Sequence, residues 1–101
     1  MPARIPVDRE AIAAFCRRHR IRRMALFGSV LRNDFRPDSD VDVLVEFEPE
    51  HVPGYIRLGG IERELRPLLG GRRLDLITFK GLSPYIRDEV LAEAETLYGE
   101  G

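Results

Sequence analysis

The sequence predicts an α/β (α+β) domain, a small β-sheet flanked by helices, in the order αβαβαβα. Three observations carry the prediction. Apolar residues recur at helical spacing in separated stretches, around Ile12–Cys16, Ile61–Leu69 and Ile86–Ala94. Short runs rich in aliphatic and β-branched residues lie between them, the clearest being Val41–Phe47. The two patterns alternate along the chain, which favours helices layered on a sheet. With 101 residues and no linker, repeat or low-complexity segment, the chain reads as one domain spanning 1–101.

The elements follow in order. Residues 1–6 form a loose lead-in, and Asp8 can cap a helix from about Arg9 to His19. Ile12, Phe15 and Cys16 make its buried stripe, and Arg17, Arg18 and Arg20 end it where the helix dipole favours cations. His19, beside those arginines, is expected at the surface. Met24–Phe27 is a short strand. Gly28 breaks it, and Ser29 can cap a short helix through about Phe35. Arg36-Pro37-Asp38-Ser39 is a turn.

Asp40 to Phe47 is the best-defined strand. Val41, Val43, Val45 and Phe47 share one face; Asp40, Asp42, Leu44 and Glu46 share the other. A Pro-bounded loop containing His51 leads to a helix from about Tyr55 to Leu69, with Ile56, Ile61, Leu65 and Leu69 as apolar residues. Gly59-Gly60 weakens or breaks it, and Gly70-Gly71 stops it. Leu74 to Phe79 is a third strand. A last helix runs from Pro84, after a Ser83 cap, to about Leu97.

Composition narrows the function classes. The chain is 44% apolar and 33% charged, as expected of a soluble globular domain. A net charge of −1 gives no basic field for nucleic acid or anionic membrane. No direct nucleic-acid or membrane partner is expected, and a cytoplasmic location is, since the N-terminus lacks the apolar core of a signal peptide. Cys16 is the single cysteine and excludes an internal disulfide.

Chemistry concentrates in one stretch. Asp40 and Asp42 stand two apart on a strand, so their side chains point the same way about 7 Å apart along the backbone. Like charges on one sheet face are unfavourable without compensation, and a hard divalent ion supplies it. An isolated pair of this kind is ordinarily a solvated strand face. Asp75 changes the weighting: it interrupts the apolar run Leu74-Asp75-Leu76-Ile77 and is costly to bury without a partner. If the third strand lies beside the second, Asp75 joins Asp40 and Asp42 in a metal-binding triad. In two-metal phosphoryl chemistry Asp40 and Asp42 would hold the ion on a triphosphate, and Asp75 would complete the second site and assist the incoming hydroxyl as general base.

Gly28 and Ser29 precede that pair by ten residues. Gly28 lets a phosphate approach the backbone, Ser29 offers a hydroxyl at a helix N-terminus, and Arg32 can neutralise phosphate charge one turn later. Gly-Ser alone would be a plain capped turn; its fixed distance to Asp40-Val41-Asp42 makes the combination specific. His51 is not read as a metal ligand, and Glu46 is read as a strand-end surface residue.

Gly28-Ser29, the ten-residue gap, Asp40-Val41-Asp42 and the later Asp75 resemble the nucleotidyltransferase superfamily with the DNA polymerase β-like fold. The string FGSVLRNDFRPDSDVDVLVEFEP and the short chain resemble its minimal nucleotidyltransferases, the MNT-domain antitoxins. Leu31 and Asn33 depart from the usual Gly-Ser-X-Ala-Arg-Gly, but all three acidic positions are present. The resemblance implies a small mixed sheet, Mg2+ (two ions) as cofactor and ATP as substrate. It further implies a HEPN-domain toxin as partner, silenced by transfer of AMP to a tyrosine, as in a type VII toxin–antitoxin system. Nearly all residues serve the catalytic layer, so another chain is expected to hold the acceptor, in a homo- or hetero-oligomer. Two alternatives stay open: an antitoxin acting by occlusion without catalysis, and a small-molecule, aminoglycoside-type nucleotidyltransferase.

Overall fold

The computed structural model describes residues 7–28 and 40–99. The helix expected after Ser29, and the candidate residues Ser29 and Arg32, lie outside the described residues. The elements are α1 (Arg9–Arg18), β1 (Ile21–Phe27), β2 (Val41–Phe47), α2 (Tyr55–Leu65), β3 (Leu74–Thr78), α3 (Pro84–Glu93) and β4 (Glu95–Gly99). The strands form one mixed sheet in the order β3-β2-β1-β4. β1 is antiparallel to β2 and to β4, whereas β3 runs parallel to β2. The parallel pair requires a crossover, and α2 supplies it.

The core lies on one face of the sheet. Val41, Val43 and Val45 of β2 are buried there with Met24 and Leu26 of β1 and Leu74 of β3. Ile12, Phe15 and Cys16 of α1 and Ile61 and Leu65 of α2 complete it. Burial pushes the Cys16 thiol up to about 12, leaving an inert apolar filler. Asp8 starts α1 as expected, its carboxylate accepting the amides of Glu10 and Ala11 at 3.1 and 3.2 Å.

Several expectations are corrected. The last helix stops at Glu93; Ala94 turns extended (φ −63°, ψ 141°), and Glu95–Gly99 adds a fourth strand along β1. Arg9 of α1 holds that strand, donating to the Thr96 carbonyl at 3.0 Å and pairing with Glu95. β1 begins at Ile21 and not at Met24. A register shift between Ile21 and Arg23 lets Ile21, Met24 and Leu26 all point inward, which breaks the two-residue alternation. Gly59-Gly60 does not interrupt α2, and the α-helix ends at Leu65, tightening into a 3-10 turn over Arg66–Leu69. Pro67 lacks the N–H that another α-helical turn needs. Ile56 is 93% exposed and outside the core. His19 is half-buried, not fully exposed: its ring tilts against Phe15, with centroids 4.5 Å apart, and its Nε2 lies 3.1 Å from Glu64 of α2. Among the described residues no helix is long and apolar enough to cross a membrane.

Candidate active site

The face of the sheet opposite α1 and α2 carries the carboxylates. β2 is interior and flanked by β1 and β3, so Asp42, Val43, Leu44 and Val45 each have a neighbour on both sides. Asp42 stands in register with Asp75 on β3 and with Phe27 on β1. Register partners on parallel strands project to the same side, and adjacent strands lie only about 4.7–4.9 Å apart. The sheet therefore brings Asp42 and Asp75 together. Asp42 is half-buried and Asp75, on the edge strand, is exposed.

Gly28 ends β1 against this pair. Its φ of +79° is left-handed, and a Cβ there would overlap the Asp42 carboxylate oxygen Oδ2. Both requirements select glycine: the backbone must turn, and it must pass directly over Asp42. The group that comes close to Gly28 in this structure is the Asp42 carboxylate.

Asp40 sits at the head of β2, exposed, on the same face by alternation. Its carboxylate pairs with Arg73, Oδ1 to Nε at 3.4 Å, while the Val41 amide donates to the Arg73 carbonyl at 3.0 Å. Among the described residues no three Asp, Glu, His or Cys side chains converge closely enough to hold a metal ion. The strands thus set Asp42 beside Asp75, whereas the Asp40 carboxylate engages Arg73. The donor set nevertheless fits a hard divalent cation, since it offers only carboxylate oxygens, with no histidine or cysteine competing for a softer metal.

Glu62 of α2 contacts the start of β3. Its Oε1 accepts from Arg66 Nε at 2.8 Å and from the Leu74 amide, next to Asp75, at 3.2 Å. Burial disfavours the Glu62 carboxylate, but the Arg66 hydrogen bond and the Leu74 amide outweigh it and hold its pKa below the ordinary value. Glu62 and Arg73 were not singled out from the sequence. Arg73 had a usable signal, lying two residues before Asp75 and so on the same strand face; Glu62 looked like any polar helix residue.

Farther along the same face, Glu46 pairs with its cross-strand neighbour Arg23 at 2.9 Å, and the Arg23 guanidinium lies 4.9 Å from the Phe79 ring centre. These charges satisfy each other, and Glu46 is half-buried. His51 is exposed in a 3-10 turn away from the carboxylates.

Known proteins resemble this chain in sequence and fold. The family model of the nucleotidyltransferase domain matches residues 8–97. A Methanocaldococcus jannaschii relative named as a protein adenylyltransferase is 36% identical over 78 residues, covering 76% of this chain and 80% of the relative. The protein adenylyltransferase MntA of Thermococcus cleftensis is 38% identical over 73 residues, covering 72% and 71%. A solved structure named as a minimal nucleotidyltransferase superposes with a TM-score of 0.70 at 40% identity, covering 86% of each chain. The fold is also that of a toxin–antitoxin structure with AMP-PNP (TM-score 0.72, 19% identity, covering 93% of this chain and 75% of that one). It is shared by the MNT antitoxin complexed with a tri-AMPylated Shewanella oneidensis HEPN toxin (TM-score 0.64, 18% identity, 91% and 70%).

Proposed function

The chain belongs to the nucleotidyltransferase domain family, and from that premise we propose that it is the antitoxin of a toxin–antitoxin pair, moving AMP from ATP to a tyrosine hydroxyl of a HEPN-type toxin. The observation that carries the reading is the register of Asp42 with Asp75 beneath the Gly28 turn. Protein adenylyltransferase relatives at 36% and 38% identity support the choice of a nucleotide donor and a protein acceptor.

The chemistry follows from the residues. The tyrosine oxygen attacks the α-phosphorus of ATP, the bond to the β-phosphate oxygen breaks, and pyrophosphate leaves. Asp75 is exposed on the edge strand and would take the tyrosine proton. Asp40 and Asp42 would hold Mg2+, which when bound neutralises phosphate charge and aligns the attacking and leaving oxygens. Gly28 would add no side chain of its own where the triphosphate meets the backbone. Ser29 and Arg32 are assigned to the phosphates by the same reading. The test is incubation with ATP, Mg2+ and the toxin, followed by mass spectrometry. AMP on a toxin tyrosine, lost in Asp42→Ala, is the expected result. Labelling of a small acceptor with no modified protein would refute the assignment.

A further inference from the structure

We propose that Arg73 is a built-in counter-ion that occupies Asp40 until a divalent cation displaces it. The proposal rests on the cation-dependent reading of the site given above. Asp40 and Arg73 immediately precede Val41 and Leu74, the first paired residues of the parallel strands. Asp42 and Asp75 follow one pair later. By alternation all four side chains share a face, forming a two-by-two array of three carboxylates and one guanidinium. Asp40 Oδ1 stands 3.4 Å from Arg73 Nε.

A cation ligated by Asp40 would meet that guanidinium at close range, so the two positive charges compete for one carboxylate. The exchange is mechanically easy. The Arg73 side chain is 76% exposed on an edge strand and can swing into solvent once Asp40 releases it. Without a cation, Arg73 offsets repulsion within the acidic array; with one, it is redundant there. The arrangement weakens cation binding and keeps the strand ends together between loadings.

Manganese alone, titrated without nucleotide and followed by the electron paramagnetic resonance of the free ion, gives a direct test. Exposed ion pairs contribute modestly, so Arg73→Ala should tighten Mn2+ binding by up to about fivefold. Arg73→Lys, which keeps the charge, should remain near wild type. In an Asp40→Asn background, Arg73→Ala should bring little further gain, because the group it competes for is altered. Arg72→Ala removes an adjacent charge from the opposite face and should give the smaller effect. Unchanged or weaker binding in Arg73→Ala overturns the proposal, as does an equal gain in Arg72→Ala or in the Asp40→Asn background. Those outcomes leave the cation site standing. If wild type binds no Mn2+, or Asp42→Asn binds as wild type does, the cation site fails and the proposal with it.

Discussion

Asp42 and Asp75 are register partners on adjacent parallel strands, one half-buried in the sheet and the other exposed at its edge. Two like charges so placed destabilise the fold unless something offsets them. This is where function and stability should separate. Asp75→Asn keeps the shape and removes one charge. Its unfolding midpoint should hold or rise, by the equivalent of about 0.2–1 kcal/mol. Its AMP transfer should fall by about 10²–10⁴ if Asp75 is the general base. Thermal melting and single-turnover labelling, run on the same preparation, read both effects.

Gly28 turns over Asp42 with a φ no L side chain adopts readily. Gly28→Ala therefore adds a left-handed penalty of about 1–2 kcal/mol to an overlap with the carboxylate. For a domain of this size each kcal/mol lowers the melting temperature by about 4–8 °C. Transferase activity should drop further than stability does, since Asp42 must move to admit the methyl group. A variant that melts and labels like wild type would show that the close approach is unimportant.

Glu62 ties α2 to the first residue of β3. Because folding lowers its pKa, the unfolded chain takes up the proton first as pH falls from neutral. The stabilisation is fully present above the ordinary value of 4.5 and is lost as pH drops through the lowered folded pKa. Glu62→Gln should lower stability at pH 7 only modestly, since the Arg66 partner is solvent-exposed and the Gln oxygen can still accept from the Leu74 amide. The deficit should shrink below pH 4.5. Denaturant titrations at pH 7 and pH 4 check the sign.

The fourth strand makes a separate claim. Leu97 is 5% exposed in β4, whereas Thr96 is exposed. Leu97→Ala should cost about 2–5 kcal/mol, and Thr96→Ala should stay within about 0.5 kcal/mol. A helix through Leu97 would not pair Thr96 with Ala25, so a cross-strand nuclear Overhauser contact between these residues distinguishes the two.

How far the sequence foretold this structure depends on how strongly each segment alternates. β2 was legible because it is interior: Val41, Val43, Val45 and Phe47 all had to be apolar. That same alternation placed Asp40 and Asp42 on one face, and Asp75 stood out as a carboxylate inside an apolar run. β4 was hidden because it is an edge strand with Leu97 as its one buried hydrophobic residue. Leu91, Ala94 and Leu97 imitate helical spacing across the turn at Ala94. The start of β1 was hidden by its register shift, which gave Ile21 and Met24 a spacing foreign to a regular strand. At the site, residue types and strand faces could be read off the chain. The strand face of Arg73 could be read from its spacing to Asp75, but its pairing with Asp40, like that of Glu62 with the Leu74 amide, is a tertiary contact.

The central claim is that these carboxylates transfer AMP to a protein. The most direct measurement is intact-mass and peptide mass spectrometry of the partner toxin after incubation with this chain, ATP and Mg2+, beside Asp42→Ala. Tyrosine-linked AMP on the toxin with wild type and none with the variant is the predicted result. Full neutralisation of the toxin by Asp42→Ala, with no AMP added by either protein, would contradict it and leave occlusion as the mechanism.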